Sequence, residues 1–403
     1  MRRIVIVGAS VAGLAAADEL RQVGHTGEIV ILGDETHQPY DRPPLSKSML
    51  VTPAEVEPRT TWLRPDGHVE ANGLELRLGV RAVGVDTVAR RVRLAGGDHL
   101  GYDGLVLATG CRPRTLATTE GAAVPTLRTL DDLAVLRRAA TTYSQVTVIG
   151  GGFIGLELAG SFKARGLAVQ LLSQTARPFE KAMGEGLAAD VAELHRHRGV
   201  DFEAPVRIAA IRGSEGDYEI ELADGRRFST PFVVAGVGAL PNDEWLRDSE
   251  IATCDGVLAD SAGRTSVPDV VAAGDVAAFE HPRLGRLRIE HWTNAMEQGR
   301  HVARTLLGEV HPYSPVPYFW TDQYDRKFQT YGRRRPDDEC VVAEGALGTS
   351  QVLALYGSDG EFHCVTSCGL PRSLRDYRKL LLREASWAEA LDLAASRDAA
   401  ASA

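Results

Sequence analysis

The chain has 403 residues, 44% of them hydrophobic and 25% charged, with a formal net charge of -9. That length points to two or three domains, and the composition excludes a disordered or collagen-like chain. No run approaches the roughly 18 uninterrupted apolar residues of a membrane helix, and an acidic chain is a poor general partner for nucleic acid.

Arg3-Ile4-Val5-Ile6-Val7 reads as a buried strand from its β-branched run. The run is too short for a signal-peptide core and no small-residue cleavage site follows it, so a cytosolic protein is expected. Gly8-Ala9-Ser10-Val11-Ala12-Gly13 comes next, then the helix formers Leu14 to Leu20, a stop at Gly24 and a strand over Glu28 to Leu32. In such a unit the first glycine permits a tight turn and the last lets helix and strand pack closely. The helix N-terminus then offers N–H groups and partial positive charge to a pyrophosphate. Gly8 and Gly13 fill the two outer places, and Ser10, in the middle one, is small enough to keep the backbone approach. Asp34, 21 residues after Gly13, or its neighbour Glu35 can accept hydrogen bonds from a ribose.

A second copy begins 142 residues later. Gln145 to Ile149 is its strand, and Gly150-Gly151-Gly152-Phe153-Ile154-Gly155 fits the glycine pattern strictly. Leu156 to Arg165 is the helix, stopped at Gly166, and Ala168 to Leu172 is the returning strand. One such turn in a chain with 41 glycines is weak evidence for a ligand. Two copies, each strand–turn–helix–strand, point to two dinucleotides and to hydride passing from a nicotinamide to a flavin.

Beyond them, His311 to Pro317 is dense in proline and reads as a linker. The remainder mixes short strands, such as Val352 to Tyr356, with a late helix, and the tail from Ala394 to Ala403 is expected to be frayed. Cys111, Cys254, Cys340, Cys364 and Cys368 form no C-x-x-C pair and are odd in number, so they read as structural thiols rather than a disulfide framework, redox pair or metal site. No metal is expected. Arg333-Arg334-Arg335 is the clearest basic run, either a solvated turn or a docking patch for an acidic protein.

Other strings are more specific: Pro39-Tyr40-Asp41-Arg42-Pro43-Pro44-Leu45-Ser46-Lys47, Leu107-Ala108-Thr109-Gly110, Gly236-Val237-Gly238-Ala239-Leu240-Pro241-Asn242, Ala272-Ala273-Gly274-Asp275, Ile289-Glu290-His291-Trp292-Thr293-Asn294-Ala295 and Phe319-Trp320-Thr321-Asp322-Gln323. Together with the glycine turns, they resemble the FAD-dependent ferredoxin reductases of the putidaredoxin reductase and biphenyl dioxygenase reductase type, from residue 1 to about residue 380. The resemblance implies a glutathione-reductase-like α/β fold with two Rossmann-like nucleotide-binding domains and a small C-terminal α+β domain. The FAD domain would be discontinuous, 1–111 and 241–313, with the NAD(P) domain at 112–240 and the last domain at 314–403. It implies FAD and NADH as cofactors, NADPH remaining open, and a [2Fe-2S] ferredoxin as partner, which would serve a cytochrome P450 or a Rieske oxygenase.

Roles follow by position. The resemblance implies that Gly8, Ser10, Ala12 and Gly13 hold the FAD pyrophosphate, that Asp34 and Glu35 take the adenosine ribose, and that Lys47, with Arg42 in the same string, lies by the isoalloxazine. Ala82 and Arg128 match FAD-contacting positions. Gly274 and Asp275 would bind the ribityl or phosphate region and Trp292 the ring end. Gly150, Gly151, Gly152, Phe153, Ile154, Gly155 and Glu157 would line the nicotinamide cleft, with Gly238 closing it. Similar enzymes usually carry Glu or Asp where this chain has Ser173, followed by Gln174. A carboxylate there favours NADH and repels a 2′-phosphate; Ser173 does neither, so NADH is expected without excluding NADPH.

Hydride transfer needs position more than acid–base chemistry, with the reacting atoms about 3–3.5 Å apart. Lys47 is the candidate electrostatic partner for the reduced flavin and Glu157 its candidate counter-ion; the bland reading of Lys47 is a solvated loop lysine. Trp292 and Trp320 are candidates for the edge where a ferredoxin docks, or are simple packing aromatics. Two other readings compete: a related reductase serving rubredoxin or a quinone, and a non-catalytic sensor of NADH.

Overall fold

The structure is a computed structural model and describes residues 1–53, 56 and 61–401. It divides into two compact units, one of Met1–Asp41, Thr60–Arg112 and Ala239–Pro315, the other of Arg42–Arg59, Pro113–Gly238 and Val316–Ala403.

The first unit is built on a five-stranded parallel sheet in the order Val270–Ala272, Gly104–Leu107, Arg3–Val7, Glu28–Leu32, Glu75–Arg77. Val5 sits opposite both Val30 and Leu105. Side chains alternate across a strand, so Ile4 and Ile6 join Leu14, Ala17 and Val302 in one apolar layer while Val5 and Val7 join Val85, Val92 and Leu107 in the other. Burial on both faces is why the strand reads as an unbroken apolar run. Helices Val11–Gln22 and Trp292–Leu306 cover the first face. A Cβ at Gly299 would lie 2.3 Å from the Ala12 carbonyl oxygen, so these helices meet backbone to backbone.

The second unit repeats the theme with a four-stranded parallel sheet, Asp201–Glu203, Ala168–Leu172, Gln145–Ile149 and Val233–Ala235. Helix Leu130–Thr142 begins at a reciprocal cap between Thr129 and Asp132. Chain end and sheet are joined in the last part of this unit: an antiparallel sheet in the order Tyr318–Gln323, Arg326–Gly332, Glu361–Cys368, Val352–Ser358, Glu339–Gly345 carries helices Pro371–Leu382 and Trp387–Ala401. Leu374, Tyr377 and Trp387 pack on Leu353, Leu355 and Val365.

Two expectations need correction. Residues 42–59, assigned from sequence to the FAD domain, belong to the second unit. Arg137 holds that segment by donating to the carbonyls of Met49 and Thr52 at 2.8 Å and of Pro53 and Val56 at 3.0 Å, and Arg165 donates to Thr52 at 2.6 Å. The tail is not frayed over Ala394–Ala401 but completes a second late helix, as alanine's high helix propensity favours; residues 402 and 403 lie outside the described residues. The proline-dense stretch lacks regular structure, yet Tyr313 fastens it: its ring is buried and its hydroxyl donates to Asn294 Oδ1 at 3.1 Å.

Candidate active site

The first glycine turn ends strand Arg3–Val7. Gly8 has φ +123°, and a Cβ there would lie 2.0 Å from the Ala108 carbonyl oxygen. At Gly13 a Cβ would lie 1.9 Å from the Gly8 carbonyl oxygen, so both positions exclude any larger residue. Ser10 is the N-cap of helix Val11–Gln22 but makes no side-chain cap bond, which leaves the first-turn N–H groups to a ligand. The Ala-Ala-Gly-Asp string arrives beside it: a Cβ on Gly274 would lie 3.0 Å from that of Ala12, and the Gly274 N–H donates to Gln298 Oε1 at 2.9 Å. The Cys111 thiol donates to Asp275 Oδ2 at 3.2 Å. Asp34 is exposed at the end of its strand, Glu35 accepts from the Tyr40 hydroxyl at 2.6 Å, and Trp292 Nε1 donates to Asp41 Oδ1 at 2.8 Å. Ala82 starts an antiparallel ribbon packed on the sheet. A small-residue cradle beneath an uncapped helix end suits a dinucleotide pyrophosphate, so these residues fit FAD.

The second turn reproduces the first. Gly150 has φ +115° with a Cβ 2.2 Å from the Gly236 carbonyl oxygen, and a Cβ at Gly155 would lie 1.9 Å from the Gly150 oxygen. Gly152 caps helix Phe153–Ala164 without a side chain. Phe153 stacks on Phe179 at 4.4 Å between centroids and meets Phe319 edge-on at 5.1 Å, while Ile154 is exposed. Gly238 has φ +104° and accepts from the Arg114 N–H at 2.8 Å. Ser173 is buried and turned into its own loop: its hydroxyl donates to the Thr175 carbonyl at 2.9 Å and accepts from the Thr175 N–H at 3.2 Å. A Cβ on Gly151 would lie 2.5 Å from that hydroxyl, so the serine packs against the glycine turn.

Lys47, which lies between these turns in sequence, and Glu157, which follows the second, come together within the second unit. Lys47 Nζ lies 2.7 Å from Glu157 Oε2, with the lysine side chain 21% exposed and the glutamate 4%. The same oxygen accepts from the Ser46 hydroxyl at 2.5 Å, and Oε1 accepts from the Thr321 hydroxyl at 2.7 Å. Ser161, one helical turn beyond Glu157, donates to the Ser46 carbonyl at 2.6 Å and fixes the loop on the helix. Arg42 donates to the Arg128 carbonyl at 2.7 Å, which draws those two positions together.

The comparisons with known proteins agree with this geometry. A family model described as pyridine nucleotide-disulphide oxidoreductase matches residues 2–299, and one described as reductase C-terminal matches 318–400. The ferredoxin--NAD(+) reductase component of the anthranilate 1,2-dioxygenase system of Burkholderia cepacia is 36% identical over 381 residues, 94% of this chain and 93% of its own. Putidaredoxin reductase of Pseudomonas putida is 34% identical over 362 residues, 88% of this chain and 85% of its own. The chain belongs to the ferredoxin reductases of this oxidoreductase family. Among solved structures similar to this reductase, the ferredoxin reductase for the CYP199A2 system of Rhodopseudomonas palustris superposes with TM-score 0.91 at 34% identity over 96% of each chain. The covalent putidaredoxin reductase–putidaredoxin complex gives 0.88 at 31% identity, over 95% of this chain and 93% of the other. As a member of this family, the reductase uses FAD and a nicotinamide nucleotide.

Several residues at the site of this reductase escape sequence reasoning. Thr321 and Gln323 stand in the W-x-D-Q string without an assigned task, and Ser46 and Ser161 are ordinary serines until the fold brings them to Glu157. Nothing in the sequence ties His195 or Arg137 to it. In the arginine run, Arg334 donates to the Glu180 backbone carbonyl at 3.2 Å and Arg335 pairs with Glu361 at 3.0 Å, so one of the three charges has a carboxylate partner within the fold. Trp320 is half-buried, stacked on Tyr318 at 5.9 Å with Lys327 over its ring at 5.8 Å. The cysteines are all free thiols; burial pushes Cys364 up to about 12 and Cys368 to about 11, far from the reactive thiolate range.

Proposed function

We propose that this reductase takes hydride from NADH at the second glycine turn and supplies single electrons to a [2Fe-2S] ferredoxin, which serves a cytochrome P450 or a Rieske oxygenase. The duplicated turn carries the reading, because each copy excludes side chains at the same two places and leaves an uncapped helix end for a pyrophosphate. When bound, FAD supplies the exchange between a two-electron donor and a one-electron acceptor. The chain's own contribution is placement: Gly8, Gly13 and Gly274 cradle the flavin dinucleotide, Phe153 and Ile154 line the nicotinamide side, and Glu157 holds the Lys47 ammonium, the candidate partner for the negative charge that reduction adds to the flavin. Relatives named for dioxygenase systems and for putidaredoxin support the iron–sulfur partner.

The preference for NADH rests on the loop after Leu172. A 2′-phosphate needs an available cation there. Ser173 offers none, and Arg177 is engaged by Glu185 at 2.6 Å and Glu180 at 3.6 Å. We place the enzyme in the cytoplasm: its cysteines are unpaired thiols, as suits a reducing compartment, and among the described residues no helix is long and apolar enough to cross a membrane. Anaerobic titration of the purified holoenzyme with each nucleotide tests the donor. NADH should bleach the flavin, and in steady-state turnover with an artificial acceptor its KM should be at least about tenfold below that for NADPH, a difference of ~1.4 kcal/mol. Equal values would overturn the preference, and failure of both to bleach it would overturn the function.

A further inference from the structure

We propose that His195 is a positioning residue for hydride transfer, holding the Glu157 carboxylate against Lys47 through Gln323 and Thr321. This rests on the reading of Lys47 and Glu157 given above.

His195 lies in helix Glu180–His197, far in sequence from every motif, and is completely buried. A buried imidazole must satisfy two nitrogens. Nε2 meets Gln323 Oε1 at 2.9 Å and Nδ1 meets the Tyr324 hydroxyl at 3.0 Å. Burial pulls its pKa down to about 4, so at neutral pH the ring is uncharged and has one N–H to give. The orientation of Gln323 decides which nitrogen carries it. Gln323 Nε2 donates to Thr321 Oγ1 at 2.7 Å, and Thr321 donates its own proton to Glu157 Oε1 at 2.7 Å. Gln323 Oε1 is therefore the acceptor, His195 Nε2 the donor, and Nδ1 accepts from Tyr324.

Every hydrogen in the chain thus points the same way, from Tyr324 through His195, Gln323 and Thr321 to one oxygen of Glu157. The other oxygen takes Ser46 and Lys47. Aligned donors on an anion reinforce one another in a low-dielectric interior. His195, Gln323 and Thr321 are each no more than 1% exposed, so water has no access to replace a lost link. The chain is not a proton exit: its hydrogens run inward, and a side-chain amide has no lone proton to hand on. Its effect is geometric, fixing Glu157 through Thr321 and Gln323 on a strand of the last domain, which is itself held by a neutral ring on a different helix.

The test uses holoenzyme variants and anaerobic rapid mixing with NADH. His195→Leu should slow hydride transfer about tenfold, ~1.4 kcal/mol, with the dissociation constant for NADH unchanged. His195→Gln, which keeps a donor, should recover most of the rate. In a Lys47→Ala background, His195→Leu should add nothing, because both act on one pair; multiplicative effects would mark a general structural role and overturn the proposal. Independently of rate, selective nitrogen-15 labelling of histidine should show a Nε2–H imidazole that His195→Leu removes and that Glu157→Gln shifts. An unmoved resonance in Glu157→Gln would overturn the chain. If Lys47→Ala alone left hydride transfer unchanged, the reading of Lys47 would fall, and the resonance would still decide the chain.

Discussion

Replacing Glu157 by glutamine keeps the shape of the side chain and removes its charge, so it isolates what the carboxylate does. In the native protein all three neighbours are donors: Lys47 and Ser46 on one oxygen, Thr321 on the other. An amide has one acceptor end. With its NH2 toward Lys47 the ammonium loses its acceptor, and with its NH2 toward Thr321 the hydroxyl can turn to accept but its own proton loses the carboxylate; either way the ion pair is gone. Hydrogen bonds to charged groups are worth ~1.5–3 kcal/mol each, and breaking a buried pair costs ~3–5 kcal/mol. Lys47 keeps a fifth of its side chain in solvent, which relieves part of that loss, so the cost belongs near the low end, about 3 kcal/mol. For a unit of this size each kcal/mol lowers the midpoint by ~2–4 °C, giving a fall of about 6–12 °C. Calorimetry of the holoenzyme measures it, and rapid mixing with NADH should show slower hydride transfer in the same protein. A midpoint within about 1 °C of wild type together with an unchanged hydride step would refute the reasoning, because the carboxylate would then carry neither stability nor position.

The two glycine turns can be broken separately. Gly13→Ala puts a Cβ 1.9 Å from the Gly8 carbonyl oxygen and should yield protein without bound flavin; a full FAD-to-protein ratio would contradict this. Gly155→Ala makes the same collision with Gly150 and should leave a yellow protein that dithionite reduces but NADH does not; a normal KM for NADH would contradict that. Acidification should destabilise the fold in part through His195. Its folded pKa, pulled down to about 4 by burial, lies below the ordinary imidazole value, so the unfolded chain takes up the proton first. The contribution is intact above pH ~6.5 and is lost as pH falls toward 4, at up to ~1.4 kcal/mol per pH unit. The melting midpoint should therefore fall less steeply across that range in His195→Leu; parallel slopes would exclude the effect.

The paired turns could be read from sequence because their physics is local. Gly8 and Gly13 are five residues apart, and a Cβ at Gly13 would run into the Gly8 carbonyl, so spacing alone encodes that contact. The same holds for the alternating burial of Ile4 to Val7. What escaped depends on chain segments that meet only after folding. The hydroxyl of Ser173 could not be known to face its own loop, since either a buried or an open serine fits that strand end. Arg333 to Arg335 looked like a free patch because the carbonyl of Glu180 and the carboxylate of Glu361 are distant in sequence. His195 carries no pattern at all: a single histidine on a helix gives its role away only through the two partners that the strand Tyr318–Gln323 and the turn after it bring to it.

The lysine-bearing stretch 42–59 is stitched by Arg137, Arg165 and Ser161 to the body that holds the second glycine turn. Exchange of donor specificity between two such enzymes by grafting would therefore miscarry if the cut were made only at residues 112 and 240. The transplanted module would arrive with Glu157 facing a foreign strap, and the graft must take that short N-terminal stretch along with it as a second piece.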